Sequence, residues 1–289
     1  MSHMQTINND IQRAAQVIAE SESIIITAGA GMGVDSGLPD FRGSQGFWKA
    51  YPYYATQGLS FVDVASPELF SSNPAFAWGF YGHRTNLYRN TSPHYGFYCI
   101  KKWIQQHSKE YFVVTSNVDG QFQKAGFDEN HLLEIHGSVH WLQCAHPCCR
   151  ELWENYETFK VDAATMRASR YPACPFCDEV SRPNILMFDD STWISDRKNQ
   201  QLYKFRQFSK SNQGKKTVVI EIGAGTAIPT IRNLSEEIAS EVDSLIIRIN
   251  PRESEVTNPH ISLTSGAMAA ICEIDTLLDN MRYNERVSK

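Results

Sequence analysis

Five cysteines between Cys144 and Cys177, of seven in the chain, form its densest cluster of chemically active side chains. They fall into two close sets, Cys144-x3-Cys148 (or Cys144-x4-Cys149) and Cys174-Pro175-Phe176-Cys177. Two such pairs supply four thiolates, the donor set of tetrahedral Zn²⁺ with bonds of about 2.3 Å. Pro175 favours the knuckle-like turn that a C-x-x-C pair needs. Cys148 is preferred to Cys149 by a small margin. No open ligand position is implied, so the expected zinc is structural. Buried free thiols are the plain alternative. A redox dithiol at Cys174 and Cys177 lacks a thioredoxin-like context.

Three further groups could act on a nucleotide. Gly29-Ala30-Gly31-Met32-Gly33 follows an apolar run, and glycines there let backbone N–H groups approach a pyrophosphate. The next glycine comes late, at Gly37, so G-x-G-x-x-G is not cleanly matched, and a tight turn would also explain the residues. Thr115-Ser116-Asn117-Val118-Asp119-Gly120 ends another apolar run. Asn117 and Asp119 could hydrogen-bond an amide or ribose there, or cap a helix through an Asx turn. His136, in Glu134-Ile135-His136-Gly137, ends a third run and could serve as a general base near neutral pH.

These groups need a scaffold that gathers strand ends. Short β-branched runs at Ser23–Ala28, Tyr111–Thr115, Leu132–Ile135, Thr217–Ile222 and Ser244–Ile249 alternate with helical patterns, which predicts a parallel sheet with crossover helices. Helical spacing covers Ile7–Ala19, and Gly266–Met281 reads as a closing helix. A helix is expected after the Gly29 turn. The expected fold is α/β, a Rossmann-like doubly wound sheet built from residues 5–39, 91–138 and 183–289. Residues 40–90, as a helical insertion, and 139–182, as a zinc module, would form a smaller lobe.

Composition agrees with that scale. The 289 residues are 42% hydrophobic and carry a net charge of −5, enough for one large domain or a large and a small one, and too apolar for disorder. The acidic balance argues against a broad nucleic-acid-binding face. No apolar run nears the roughly 18 residues of a membrane span. No signal peptide is read at the N-terminus, and residues 1–3 read as a tag scar before Met4. A cytoplasmic protein, monomeric or weakly oligomeric, is expected.

Five ordered blocks, residues 29–43, 115–127, 134–144, 174–177 and 182–188, together resemble the sirtuin family of NAD-dependent protein-lysine deacylases. The resemblance covers nearly the whole chain and resembles most a divergent, bacterial branch. It implies NAD as co-substrate, a structural Zn²⁺ on Cys144, Cys148, Cys174 and Cys177, and acyl-lysine proteins as partners. Ala28, Gly29, Ala30 and Gly31 match the NAD loop, and Asp40, Phe41 and Arg42 match the family's D-F-R. Asn117, Val118 and Asp119 match the nicotinamide pocket, with Ser116 beside the nicotinamide ribose. Gly223 begins a loose match to a second nucleotide loop, and Asn250 falls at an adenosine contact. His136 matches the catalytic histidine. Ile185, Leu186, Met187 and Phe188 match the strand that pairs with substrate peptide.

The implied reaction displaces nicotinamide by the acyl oxygen. His136 then deprotonates a ribose hydroxyl, Phe41 screens the reacting carbon from water, and the products are nicotinamide, lysine and O-acyl-ADP-ribose. Tyr81 and Arg84, with Ala65 sixteen residues before the tyrosine, resemble the branch that removes succinyl and malonyl groups. Their i, i+3 spacing puts phenol and guanidinium on one helix face, where both could meet a carboxylate. The chain departs from the family at Gly33 (often Ser), Ser116 (mostly Gln) and Asp189-Asp190 (usually Gly-Glu). An NAD glycohydrolase or ADP-ribosyltransferase on the same fold, or a zinc-bearing NAD-sensing interaction protein, are the competing readings.

Overall fold

The computed structural model describes residues 3–39 and 43–287. In chain order, α1 (His3–Glu20) precedes β1 (Ser23–Ala28) and a 3-10 turn over Ala30–Ser36. Next come five helices: α2 (Gly43–Ala50), α3 (Pro52–Thr56), α4 (Phe61–Val64), α5 (Glu68–Ser72) and the long α6 (Pro74–Asn90). α7 (Tyr95–Gln106), β2 (Glu110–Thr115), α8 (Gln121–Lys124) and β3 (Leu132–Glu134) return to the main sheet. The metal module follows: β4 (Gly137–Cys144), the two-residue strands β5 (Trp153–Glu154), β6 (Val161–Asp162) and β7 (Arg167–Ala168), and β8 (Ser181–Ile185). α9 (Asp196–Ser211), β9 (Thr217–Ile222), α10 (Thr230–Glu241), β10 (Leu245–Ile249), β11 (Ile261–Leu263) and α11 (Ala267–Val287) complete the chain.

The main sheet has six strands in the order β11-β10-β9-β1-β2-β3, and every pairing is parallel. All six residues of β1 are buried, as a strand covered on both faces requires. Thr27, a buried polar residue near its end, shares a 2.8 Å hydrogen bond with Ser235 of α10. One face carries α1, α7 and α11, whose Ile18, Ile100 and Ile274 are fully buried against β1 and β9. The other face takes Phe205 and Phe208 of α9 and Ile238 of α10. Each such side chain contributes about 1.5–3 kcal/mol on burial.

A separate core joins the helical insertion to the metal module. Phe47, Tyr54 and Phe80 pack together, and the Trp78 ring stacks on Phe159 at 4.7 Å. No described helix is long and apolar enough to cross a membrane.

Several local readings shift. The segment after Gly29 folds as a 3-10 turn rather than an α-helix; Gly33 is covered by Leu38, and Gly37 turns the chain left-handed. Of the expected strand Ile185–Phe188, only Ile185 lies in β8. The next three residues hydrogen-bond to three different parts of the chain instead of to one neighbouring strand.

Candidate functional site

Strand order reverses between β1 and β9, and their carboxyl ends open there into a crevice, where ligands of open α/β sheets bind. A cavity of about 370 Å³ occupies this place. It brings together Gly29, Ala30 and Gly223 with Ser116, Asn117, Asp119 and His136. The same cavity reaches Ala65, Tyr81 and Arg84 and the Ile185–Phe188 segment. Ala28, Gly31 and Asn250 lie outside its wall. Asp40, Phe41 and Arg42 lie outside the described residues.

Two loops close the nucleotide end by touching backbone to backbone. Gly29 N–H donates to Ile222 O at 2.9 Å, and Gly31 N–H to Gly223 O at 3.0 Å. Gly223 has φ of +65°, and a Cβ there would lie 2.4 Å from Gly31 C and Met32 N. Its alanine variant must therefore push the first loop away as well as carry left-handed strain of about 1–2 kcal/mol. Gly223→Ala is expected to lower the melting temperature and to weaken NAD binding at least tenfold; calorimetric titration checks it, and unchanged affinity would count against the loop contact. Asn250 acts from behind this loop. Its Nδ2 donates to Ala224 O at 2.8 Å, and its Oδ1 accepts from Arg252 and Glu253 N–H, both at 3.0 Å.

The loop after β2 is pinned on all sides. Thr115 Oγ1 donates to Ala28 O and accepts from Asn117 N–H, both at 3.0 Å. Asn117 Nδ2 donates to Gly29 O at 2.9 Å, joining the loop to the glycine turn. Val139 N–H reaches Val118 O at 3.0 Å, and His140 Nε2 lies 3.1 Å from Asp119 O. Burial pushes the Asp119 carboxyl up to about 6, against the lowering effect of the Gln121 N–H that it accepts at 2.9 Å.

His136 sits at the corner where the chain leaves the main sheet for β4. Ile135 N–H still pairs with Thr115 O at 2.9 Å. Gly137 then turns with φ of +80°, where any Cβ would strike Asn184 O; this glycine lets the corner close. Burial lowers the His136 pKa, opposed by a hydrogen bond to the Ser116 backbone. The imidazole is therefore neutral at pH 7.

Beyond His136 the Leu186 N–H donates to His136 O at 2.9 Å, Met187 N–H to the Asp190 carboxylate at 3.2 Å, and Phe188 N–H to Ala65 O at 3.2 Å. Asp190 is itself paired with Arg182, both side chains wholly buried. On α6, Arg84 is 7% exposed. Its Nε and Nη2 donate to the Tyr88 hydroxyl at 2.8 and 2.6 Å. Burial, eased by Arg84, pushes the Tyr81 phenol up to about 12, so it stays protonated. Tyr88 lines the cavity too, a residue that the sequence reading missed; its one signal is the i, i+4 step from Arg84.

The four sulfurs of Cys144, Cys148, Cys174 and Cys177 lie within 4.8 Å of one another. Cys144–Cys177 and Cys148–Cys174 are each 3.7 Å apart. A tetrahedron with bonds of about 2.3 Å has edges near 3.8 Å, so this set fits Zn²⁺ in a closed, structural site. Cys149 touches Cys148 at 3.8 Å but stands outside the set.

Fold and cavity together define a dinucleotide-binding α/β protein that carries a closed four-cysteine metal module. The chain belongs to the Sir2 family, which it matches over residues 29–223. It is 28% identical over 225 residues to an NAD-dependent protein deacylase of Candida albicans, covering 64% of this chain and 71% of that protein. It is also 28% identical over 237 residues to one of Leptospira interrogans serogroup Icterohaemorrhagiae serovar copenhageni, covering 82% and 85%. Among solved structures, a Sir2 homologue in complex with ADP-ribose superposes with a TM-score of 0.71 at 22% identity, over 94% of this chain and 97% of that one. A Sir2 homologue–NAD complex gives 0.70 at 22% identity, over 93% and 94%.

Proposed function

We infer that the chain is an NAD-dependent protein-lysine deacylase that works on acylated proteins and prefers acyl groups ending in a carboxylate. One observation carries the reading: a single cavity holds the glycine loop, Asn117 and Asp119, His136, the Ile185–Phe188 segment and Arg84. NAD, bound as co-substrate, supplies an activated ribose carbon and nicotinamide as leaving group. Gly29, Ala30 and Gly223 let backbone approach its diphosphate. Asn117 and Asp119 hold the carboxamide. His136, neutral and half-buried, takes the proton from a ribose hydroxyl. The segment Ile185–Phe188 receives the peptide by strand addition, and Arg84 and Tyr81 meet the distal carboxylate. Residues 5–39, 91–138 and 183–289 form the nucleotide-binding part of this design, and 40–90 with 139–182 the lobe that closes it; the two separate cores support that division. All seven cysteines are free, which suits the cytoplasm, and the net charge of −5 suits a protein rather than a nucleic-acid partner.

The test is a panel of unmodified, acetyl-, succinyl- and long-chain-acyl peptides with NAD, read by mass spectrometry. Succinyl removal is expected to exceed acetyl removal at least tenfold in kcat/KM, and Arg84→Ala to collapse that ratio, since a hydrogen bond to a charged group contributes about 1.5–3 kcal/mol. ADP-ribose formed without deacylation would replace this reading with NAD hydrolysis.

A further inference from the structure

We propose that Tyr88 is a third residue of the acyl pocket, one that sets Arg84 in place and donates its own phenol proton to the acyl carboxylate. The inference rests on the acidic-acyl reading above and extends it to a residue outside the Y-x-x-R pair.

A phenol oxygen has two lone pairs with which to accept and one proton to donate. Both hydrogen bonds made by the Tyr88 oxygen among the described residues are accepted from Arg84, from Nε at 2.8 Å and Nη2 at 2.6 Å. The oxygen's accepting capacity is thereby filled, and its remaining capacity is to donate. A hydroxyl that accepts two bonds from a cation is polarised, which strengthens it as a donor. Burial keeps it a phenol, with its pKa raised.

The pair is also preset. Tyr88 grips the guanidinium along its Nε–Nη2 edge, so the proposed carboxylate would approach from the outer Nη edge, beside the Tyr88 hydroxyl. The Arg84 carbon stands 5.3 Å from the Tyr88 ring centre and 5.2 Å from that of Phe80, which fixes the guanidinium plane. Tyr88 itself is held by its backbone: its carbonyl accepts from Gln121 Nε2 at 3.2 Å. The two oxygens of a carboxylate would then be shared between Arg84 and two phenols, Tyr81 and Tyr88. A neutral acyl group of the same shape offers no such acceptor.

The experiment compares wild type, Tyr88→Phe and Arg84→Ala in the zinc-loaded full chain, with succinyl-lysine and its neutral amide isostere as substrates. Tyr88→Phe is expected to raise KM for the succinyl peptide about tenfold, the worth of one charge-assisted hydrogen bond, with kcat and the neutral isostere changed less than twofold. If Tyr88→Phe leaves the succinyl-to-neutral ratio unchanged while Arg84→Ala collapses it, the role of Tyr88 is overturned and the acidic-acyl reading stands. If neither variant moves the ratio, the acidic-acyl reading itself falls, and this inference with it. Trifluorotyrosine placed at position 88 supplies a second arm that keeps the side chain's shape and lowers the phenol pKa. KM for the succinyl peptide should then rise as pH increases through that pKa, while the neutral isostere stays flat; a flat succinyl profile would overturn the proposal.

Discussion

Replacing His136 by alanine is expected to lower kcat for NAD-dependent deacylation by about 10²–10⁴-fold, the usual worth of a positioned general base, while exchange of nicotinamide into NAD persists. The asymmetry follows from what the residue does. In the proposed function Asn117 and Asp119 would hold the leaving group on one side of the cavity, and His136 would remove a ribose proton after the bond to nicotinamide has broken. A kcat above a tenth of wild type would remove His136 from the mechanism. The pH profile carries the same information. Burial lowers the His136 pKa below its ordinary 6.5, so the active neutral form persists through pH 7 and is lost only as pH falls further. The rate is expected to be flat from pH 7 to 8 and to drop on the acid side. Asp119 titrates near 6 and shares that limb. Asp119→Asn separates the two, since an acid limb that survives this change belongs to His136.

Stripping zinc with a chelator, or the substitution Cys174→Ser, is the second large effect expected. Structural zinc contributes about 10–16 kcal/mol of apparent binding free energy in small modules, as much as the whole stability of a typical domain, about 5–15 kcal/mol. The loss reaches the nucleotide site because β4 spans both. It starts one residue after His136 and ends on Cys144, and on the way it holds Val118 and Asp119 through Val139 and His140. Release of one zinc per chain should accompany loss of near-UV circular dichroism, a lower melting temperature and at least tenfold weaker NAD binding. A metal-free protein with unchanged melting temperature and NAD affinity would show that the four sulfurs are only neighbours.

The parallel sheet was legible because strands covered on both faces read as continuous apolar runs: β1 and β9 fall at the expected residues, and β2, β3 and β10 within one. Three-residue β11 escaped, being too short to show a period. β4 escaped because its residues were counted as the start of an insertion, when Gly137 turns them into a second sheet. Gly29, Asn117, Asp119 and His136 could be picked out in the sequence because each lies just past an apolar strand. Tyr88 could not, for a different reason. α6 is buried over most of its circumference, from Phe76 through Gly82 and on to Arg84, Thr85 and Tyr88, so it has no polar stripe from which to tell the side that faces the cavity. The role of Asn250 was equally hidden, since sequence places the residue at the loop but says nothing of whether its amide points to a ligand or to Ala224 O.

The segment that follows β8 has spent the N–H groups of Leu186, Met187 and Phe188 on His136, Asp190 and Ala65. In the proposed function a peptide lying along these three residues would find no main-chain donor there and would bring the donors itself. Proline or an N-methylated residue beside the acyl-lysine deletes one of these donors and leaves a carbonyl facing nothing. If the proposed function holds, the enzyme is expected to favour lysines in extended, proline-poor stretches, and peptides with proline beside the acyl-lysine should show a higher KM than their alanine counterparts.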